Sequence, residues 1–365
     1  MGEPLRIGIV GAGKISGAYL DTLNRLESVR LTAVTDLDWE RAQKLAREGS
    51  AGGAGNGQRV AVAGSVAELV ARDDVDAVLN LTIPAAHAEV ALAALGAGKH
   101  VYGEKPLAVD QKEAEAVLAA ARAAGLRVGC APDTVLGTGV QTARKAVDDG
   151  LIGRPVSATA FMTGAGHEGW HPDPEFYYRP GGGPLLDMGP YYVSALVHLL
   201  GPVARVVGAS SRPRAERTIG SGPRAGETFA VEVDTHITGV LEHAGGALST
   251  LVMSFDVKAA HLPRIEVHGT EASLSVPDPN NFDGPVEISR GGEWEALPVS
   301  AGYRDTGRGA GLADLAEALA QGRPHRASAE LAAHVLDVML TLLQAADEGR
   351  ALPVVSTCER PDPVA

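Results

Sequence analysis

A short β-branched run, Leu5-Arg6-Ile7-Gly8-Ile9-Val10, stops at a glycine turn, and a helical pattern starts directly after it. The turn reads Gly11-Ala12-Gly13-Lys14-Ile15-Ser16-Gly17, and Ile15, Tyr19, Leu23 and Leu26 share one face of the expected helix. A run of this length and branching predicts a buried strand. Strand, glycine turn and helix in that order leave few possible folds. Gly11 would make the tight turn, and Gly13 would let the backbone approach a pyrophosphate. The helix start, with Lys14 and Ile15 in the turn before it, would aim N–H groups and a positive dipole at that anion. Ser16 stands at the third position of the glycine pattern, where Gly or Ala is usual. It is small enough for close helix–strand packing.

The next predicted strand, Leu31 to Thr35, ends at Asp36, twenty residues past Ser16. An acid at that distance can accept hydrogen bonds from an adenine ribose and repels a 2′-phosphate, so NAD is expected over NADP. Arg41 is close enough in sequence to blunt that preference. The plainer reading of Asp36 is the N-cap of a helix through Trp39-Glu40-Arg41-Ala42. Residues 48–58 are rich in Gly, Ala and Ser and read as a flexible surface loop. Further strands are expected at Val60–Val62, Asp76–Leu81, Lys99–Tyr102 and Leu126–Cys130. Helices are expected at 65–72, from His87 to Leu95, and at Gln111–Ala124.

Alternation of strands and helices implies a parallel sheet wound on both faces, with ligands beyond the carboxyl ends of its strands. Gly11–Ile15, Asp36, Asn80–Pro84, Glu104–Lys105 and Ala131–Asp133 all fall at such ends. The cofactor-binding candidates are therefore Gly11, Gly13, Lys14, Ile15, Asp36, Thr82, Pro84, His87, Glu104 and Lys105. Lys105 precedes Pro106, which biases it toward an extended backbone. Its ammonium would point off the strand edge, where a lysine can take part in proton transfer. The same four residues, Gly103-Glu104-Lys105-Pro106, could also be a plain turn with a solvated side chain.

Beyond Asp133 the pattern changes. A helix is expected at 137–149 and a strand at Val156–Met162. Residues 164–183 form an irregular segment carrying His167, Trp170, His171, Asp173, Tyr177, Tyr178 and Arg179. Aromatic and polar side chains mixed in a long loop can line a sugar pocket, or simply staple the loop down. Asp133, Trp170 and Tyr178 are the substrate candidates. Gly181-Gly182-Gly183 then leads into a helix from about Leu186 to Leu200, with Pro190 expected in its first turn. Asp187 and Tyr191 lie four apart, hence on one face. They could handle protons together, or be a dipole-complementing acid and a core tyrosine.

From Val203 the chain reads as successive strands, at 203–209, 228–242, 247–255, 264–268, 272–276, 286–289 and 294–298. Gly245-Gly246 and Gly291-Gly292 are hairpin turns, and 212–227 reads as an exposed polar loop. Two helices close the chain, at 311–321 and 327–348. On the second, His334 reads as structural, and His325 and Arg326 before it read as capping or docking residues. No His/Cys cluster has zinc spacing, and no metal is expected.

The totals narrow the function. A chain of 365 residues implies two domains. A net charge of −13 argues against a nucleic-acid surface or an anionic membrane as partner. Cys130 and Cys358 give no disulfide framework. The start Met1-Gly2-Glu3-Pro4 does not read as a signal peptide, and no run of about 18 apolar residues is uninterrupted. A cytoplasmic protein is expected.

These residues resemble the glucose–fructose oxidoreductase / inositol dehydrogenase / rhizopine catabolism (Gfo/Idh/MocA) family over essentially the whole chain. The resemblance is carried by Gly11-Ala12-Gly13-Lys14-Ile15, Glu104-Lys105-Pro106, and Gly181-Gly182-Gly183 leading to Asp187-Met188-Gly189. It implies an α/β fold, with a Rossmann domain over 1–131 and an α+β domain over 132–365. The second domain would have an open, mostly antiparallel sheet that binds substrate and often forms subunit interfaces. A homo-oligomer, dimer or tetramer, is expected. The resemblance puts Lys105 beside the nicotinamide and the reacting hydroxyl, and gives Asp187 a substrate contact. Tyr191 stands where many members have a histidine base, as in the glucose–fructose oxidoreductase and dihydrodiol dehydrogenase branches. Ser194 replaces a further acid.

The expected activity is NAD(P)-dependent hydride transfer to or from a sugar, cyclitol or related polyol. Lys105, Asp187 and Tyr191 form the catalytic set. Tyr191 would take the proton, its phenolate favoured by the Lys105 ammonium, and Asp187 would orient the substrate. Two alternatives stand beside this. One is a transhydrogenating sugar oxidoreductase that keeps its cofactor bound. The other is a non-catalytic nucleotide-binding regulator.

Overall fold

The computed structural model describes residues 3–55 and 57–365. Met1, Gly2 and Asn56 lie outside the described residues, and with them part of the readings made for the N-terminus and for 48–58. The chain divides into two compact units, Met1–Gly137 with Tyr303–Ala333, and Thr138–Gly302 with His334–Ala365. This differs from a single division at 131/132. Residues 303–333 join the first unit because Ala327 and Ser328 bond to the strand at Gly129–Cys130.

The first unit begins β1 (Leu5–Val10), α1 (Ser16–Leu23), β2 (Val29–Thr35), α2 (Trp39–Ala51), β3 (Ala61–Val62) and α3 (Val66–Val70). It continues β4 (Ala77–Asn80), α4 (His87–Gly96), β5 (His100–Gly103), α5 (Gln111–Ala124) and β6 (Val128–Cys130). The sheet is parallel, in the order β3-β2-β1-β4-β5-β6. This is the Rossmann arrangement, and the strand order turns between β1 and β4. Ile7, Ile9, Val78 and Leu79 are fully buried, as strands covered by helices on both faces must be. Each such side chain contributes about 1.5–3 kcal/mol of burial. Helix starts are set locally. Asp38 accepts from Glu40 and Arg41 N–H to open α2, and Asp110 accepts from Glu113 N–H to open α5. Helix α2 runs on to Ala51 and Ala54 is buried, so 48–58 is only partly a surface loop.

The second unit contains α6 (Thr138–Asp148), β7 (Pro155–Thr163), α7 (Pro184–Leu200), β8 (Val203–Ser211), β9 (Glu216–Thr218) and β10 (Thr228–Ala230). Strands β11 (His236–His243), β12 (Leu248–Ser254), β13 (Ile265–Gly269), β14 (Ser273–Val276), β15 (Val286–Ser289) and β16 (Glu295–Leu297) come next. After them come α8 (Ala310–Gln321) of the first unit, α9 (Ala329–Glu348), whose residues from His334 belong to the second unit, and β17 (Leu352–Pro353). The large sheet has the order β16-β15-β14-β13-β7-β12-β11-β8-β17. Its neighbours are antiparallel except for β7 and β12. Strand β11 alternates half-buried and buried residues along its length, the pattern of a sheet with one covered face.

Two readings change here. The strand read at 228–242 is broken: β10 ends at Ala230 and β11 starts at His236. Strand β10 pairs with β9, a ribbon strand inside the segment read as an exposed loop. Helix α9 is long and apolar enough to cross a membrane by length and composition, but it is mostly buried within the protein. His334 on it is fully buried. Its Nε2 accepts from Val203 N–H, and Nδ1 meets Ser356 Oγ at 3.0 Å, a structural role.

Candidate functional site

The glycine turn at the end of β1 is fixed from both sides. Ala12 N–H donates to Asp36 Oδ2 at 2.6 Å, tying the turn to the end of β2. On the other side Gly11 presses on the end of β4. It has φ +100°, and a Cβ there would sit 2.7 Å from the Leu81 carbonyl carbon and oxygen. Only glycine tolerates both constraints. A Cβ at Gly13, by contrast, would meet nothing within 4 Å. No side chain caps the N-terminus of α1, and its first turn holds no acid. The turn thus offers an open backbone face and uncapped N–H groups beside the β1–β4 crevice, which fits the pyrophosphate of a dinucleotide.

Asp36 is not the cap of α2; Asp38 is. The Asp36 carboxylate accepts from Ala12 N–H and from Asp38 N–H at 2.7 Å, which aims it at the glycine turn. Arg41 pairs with Asp38 at 3.2 Å on an exposed surface.

Thr82, His87 and the Lys105 turn form one hydrogen-bonded frame. Asn80 Oδ1 accepts from Thr82 N–H and Oγ1, and Asn80 Nδ2 donates to His87 O. The buried His87 ring meets Pro106 O at 2.6 Å through Nδ1 and Thr82 O at 3.0 Å through Nε2. His87 therefore ties the turn after β4 to the turn after β5, on which Lys105 sits half-buried. The Lys105–Pro106 peptide is cis. Pro84 lies exposed beyond Thr82, and Lys14 is exposed on the glycine turn. Glu104 points inward. Its Oε1 accepts from the buried Tyr19 hydroxyl at 2.8 Å, and Oε2 accepts from Lys105 N–H. Burial, then Glu104, hold the Tyr19 phenol well above its ordinary pKa. Glu104 is therefore a support for the Lys105 turn.

Asp133, read as a substrate candidate, has another task. It is fully buried, and its Oδ2 accepts from Gly309 N–H at 2.8 Å and Gly311 N–H at 3.0 Å. It caps α8 from a distant part of the chain. Burial raises its pKa, and the two glycine N–H groups oppose that rise.

In the second unit α7 begins at Pro184, earlier than expected, so Pro190 lies inside the helix and not in its first turn. Asp187 is half-buried and Tyr191 buried, one turn apart. The structure adds a group that the spacing did not pair with them. His167, from the segment after β7, brings Nε2 to 3.0 Å from Asp187 Oδ2. Trp170 is exposed with its ring 5.2 Å from that of His167. Tyr178 is fully buried, and its hydroxyl is taken up by Glu168 and His167 N–H. Burial and Glu168 push that phenol upward. Tyr178 is a buried pillar under the loop, with no surface open to solvent.

Sequence reasoning also missed Arg217. Its segment, 212–227, reads as exposed, yet the guanidinium is 1% exposed and bonds Glu168 Oε1 and Asp256 Oδ1, each at 2.6 Å. Among the described residues no group of three or more His, Cys, Asp or Glu could hold a metal.

Residues 5–131 match a family model described as an oxidoreductase family with NAD-binding Rossmann fold, and residues 140–275 match the GFO/IDH/MocA C-terminal domain. The chain is 35% identical to the dTDP-3,4-didehydro-2,6-dideoxy-alpha-D-glucose 3-reductase of Actinomadura kijaniata, over 66% of this chain and 70% of that protein. It is 30% identical to the 1,5-anhydro-D-fructose reductase of Ensifer adhaerens, over 74% of each. Among solved structures it is similar to an NAD binding oxidoreductase from Klebsiella pneumoniae. That TM-score is 0.83 at 24% identity, over 97% of this chain and all of the other.

Proposed function

We propose, from the premise that this chain belongs to the Gfo/Idh/MocA oxidoreductase family, that it moves a hydride between NAD(P) and a carbinol carbon of a sugar, cyclitol or related polyol. The observation that carries this is the glycine turn held between Asp36 and Leu81, open at Gly13, in a chain whose relatives act on deoxysugars and anhydrofructose. A bound nicotinamide dinucleotide supplies the hydride donor or acceptor. Gly11, Gly13 and the N-terminus of α1 would hold its pyrophosphate, and Asp36 its adenine ribose. The carboxylate at Asp36 supports NAD over NADP.

In this reading Asp187 orients the substrate through its hydroxyl groups. Tyr191 takes the hydroxyl proton, and the Lys105 ammonium steadies the negative charge that builds on the oxygen. The frame through Asn80, Thr82 and His87 fixes the turn that carries Lys105. The test is single-turnover hydride transfer with a polyol and sugar panel. Lys105→Ala and Tyr191→Phe should each slow it by about 100-fold or more. Wild-type rates in both variants would overturn these roles.

We also propose that the chain works as a dimer or tetramer through the open face of the large sheet, where Val207 and Leu248 are exposed. Light scattering that gives a mass of one chain at micromolar concentration would sink this. The cytoplasm is the proposed compartment, supported by Cys130 and Cys358 being free thiols.

A further inference from the structure

His167 belongs to no helix or strand, yet its side chain and its backbone are both held. Its Nε2 lies 3.0 Å from Asp187 Oδ2. An ionised carboxylate only accepts, so in this contact Nε2 carries the hydrogen. The two side chains keep 18% and 17% exposure, enclosed enough to be fixed and open enough to meet a solute. Tyr177 packs edge-on against the ring at 4.1 Å, and Phe255 lies at 4.6 Å.

The backbone at His167 is fixed as well. Its N–H donates to Tyr178 Oη at 3.1 Å, and its carbonyl accepts from Trp170 and His171 N–H. Arg217 grips both flanks. Its Nη1 donates to Ala165 O and to Glu168 Oε1, and its Nη2 donates to Phe255 O and Asp256 Oδ1. Gly166 has φ +97°, and a Cβ there would collide with Glu168, Arg217 and Tyr178. A buried guanidinium is costly to leave unpaired, and here Nη1 and Nη2 make two bonds each while the buried Nε makes none. Here its bonds fix the residues on either side of one imidazole.

We propose that His167 is a positioning residue for substrate. It donates from Nε2 to Asp187 and so sets the direction in which that carboxylate meets a substrate hydroxyl. This rests on Asp187 being the substrate-orienting acid of the activity proposed above.

The test compares His167→Phe, which keeps a ring and removes the donor, with His167→Gln, whose amide can reach the same carboxylate. Turnover is measured with the best compound of a hexose and cyclitol panel, and NAD affinity is measured separately. A hydrogen bond to a charged group corresponds to roughly tenfold to hundredfold. His167→Phe should raise KM by about that factor with a smaller change in kcat and unchanged NAD affinity, and His167→Gln should recover most of the loss. Equal losses in the two variants, or a KM for His167→Phe within about threefold of wild type, would overturn the inference. If no compound turns over, the proposed activity has failed, and the pair is read directly by NMR of protein labelled with 15N at histidine. The His167 Nε2–H proton signal should be lost in Asp187→Ala. A signal unchanged by that substitution overturns the pair.

Discussion

The glycine turn of the first unit and the His167 loop of the second are built in opposite ways. The turn is made of backbone: Gly11 against Leu81, Ala12 N–H on Asp36, and open space at Gly13. The loop is made of side chains, with Arg217, Glu168, Asp256 and Tyr178 locked together beneath one histidine. A backbone site depends on a few positions where no side chain fits. A side-chain site depends on charges whose removal leaves partners buried and unpaired. The two should therefore fail differently when cut.

The largest effect is expected in the loop. Arg217→Met leaves Glu168 and Asp256 without their cation, which for buried pairs costs about 3–5 kcal/mol. For a unit of this size that is a fall in Tm of roughly 6–20 °C. NAD affinity, measured by titration, should stay within about twofold, because no atom of the glycine turn changes. A stability loss under about 1 kcal/mol would mean that the clamp is not what holds the loop. The turn is cut next, at two glycines. Gly11→Ala strains a positive φ and meets the Leu81 carbonyl, so about 1–3 kcal/mol of stability should go with cofactor binding. Gly13→Ala has room for its methyl group, so stability should move by less than about 0.5 kcal/mol while NAD affinity falls about tenfold or more. If both alanines act alike on stability, the contrast between a constrained and an open glycine is wrong.

The same difference explains what could be read from the sequence. The glycine turn and Asp36 lie within one strand–turn–helix–strand stretch, and local spacing places them. The place of Lys105 just past the carboxyl end of β5 was legible for a similar reason, since strand ends in a parallel sheet gather at one edge. Arg217 was not. Its neighbours in sequence are polar, and its burial depends on Glu168 and Asp256, 49 and 39 residues away. Asp133 looked like one more strand-end residue, but its partners are glycines 176 and 178 residues later. His167 stood out among the loop aromatics, yet nothing in the spacing named Asp187 as its partner. Helical spacing did place Asp187 and Tyr191 one turn apart, because both lie on one element, α7.

The change expected at Asp36 is modest in stability and falls mainly on cofactor selectivity, and it tests whether the turn is more than backbone. Its two oxygens accept from Ala12 and Asp38 N–H, so the carboxylate is both a strut and the acid offered to a ribose. Asp36→Asn keeps the shape and removes the charge. One of the two N–H groups then faces an amide NH2 unless the side chain turns, so a small loss of stability, about 1 kcal/mol, is expected. The larger consequence is selectivity. With no anion to repel a 2′-phosphate, the ratio of NAD to NADP affinity should fall by about tenfold, or 1.4 kcal/mol. Titration of both cofactors against wild type and Asp36→Asn measures it. A ratio that does not move would leave Asp36 as a strut alone, and selectivity between the cofactors would have to come from another group.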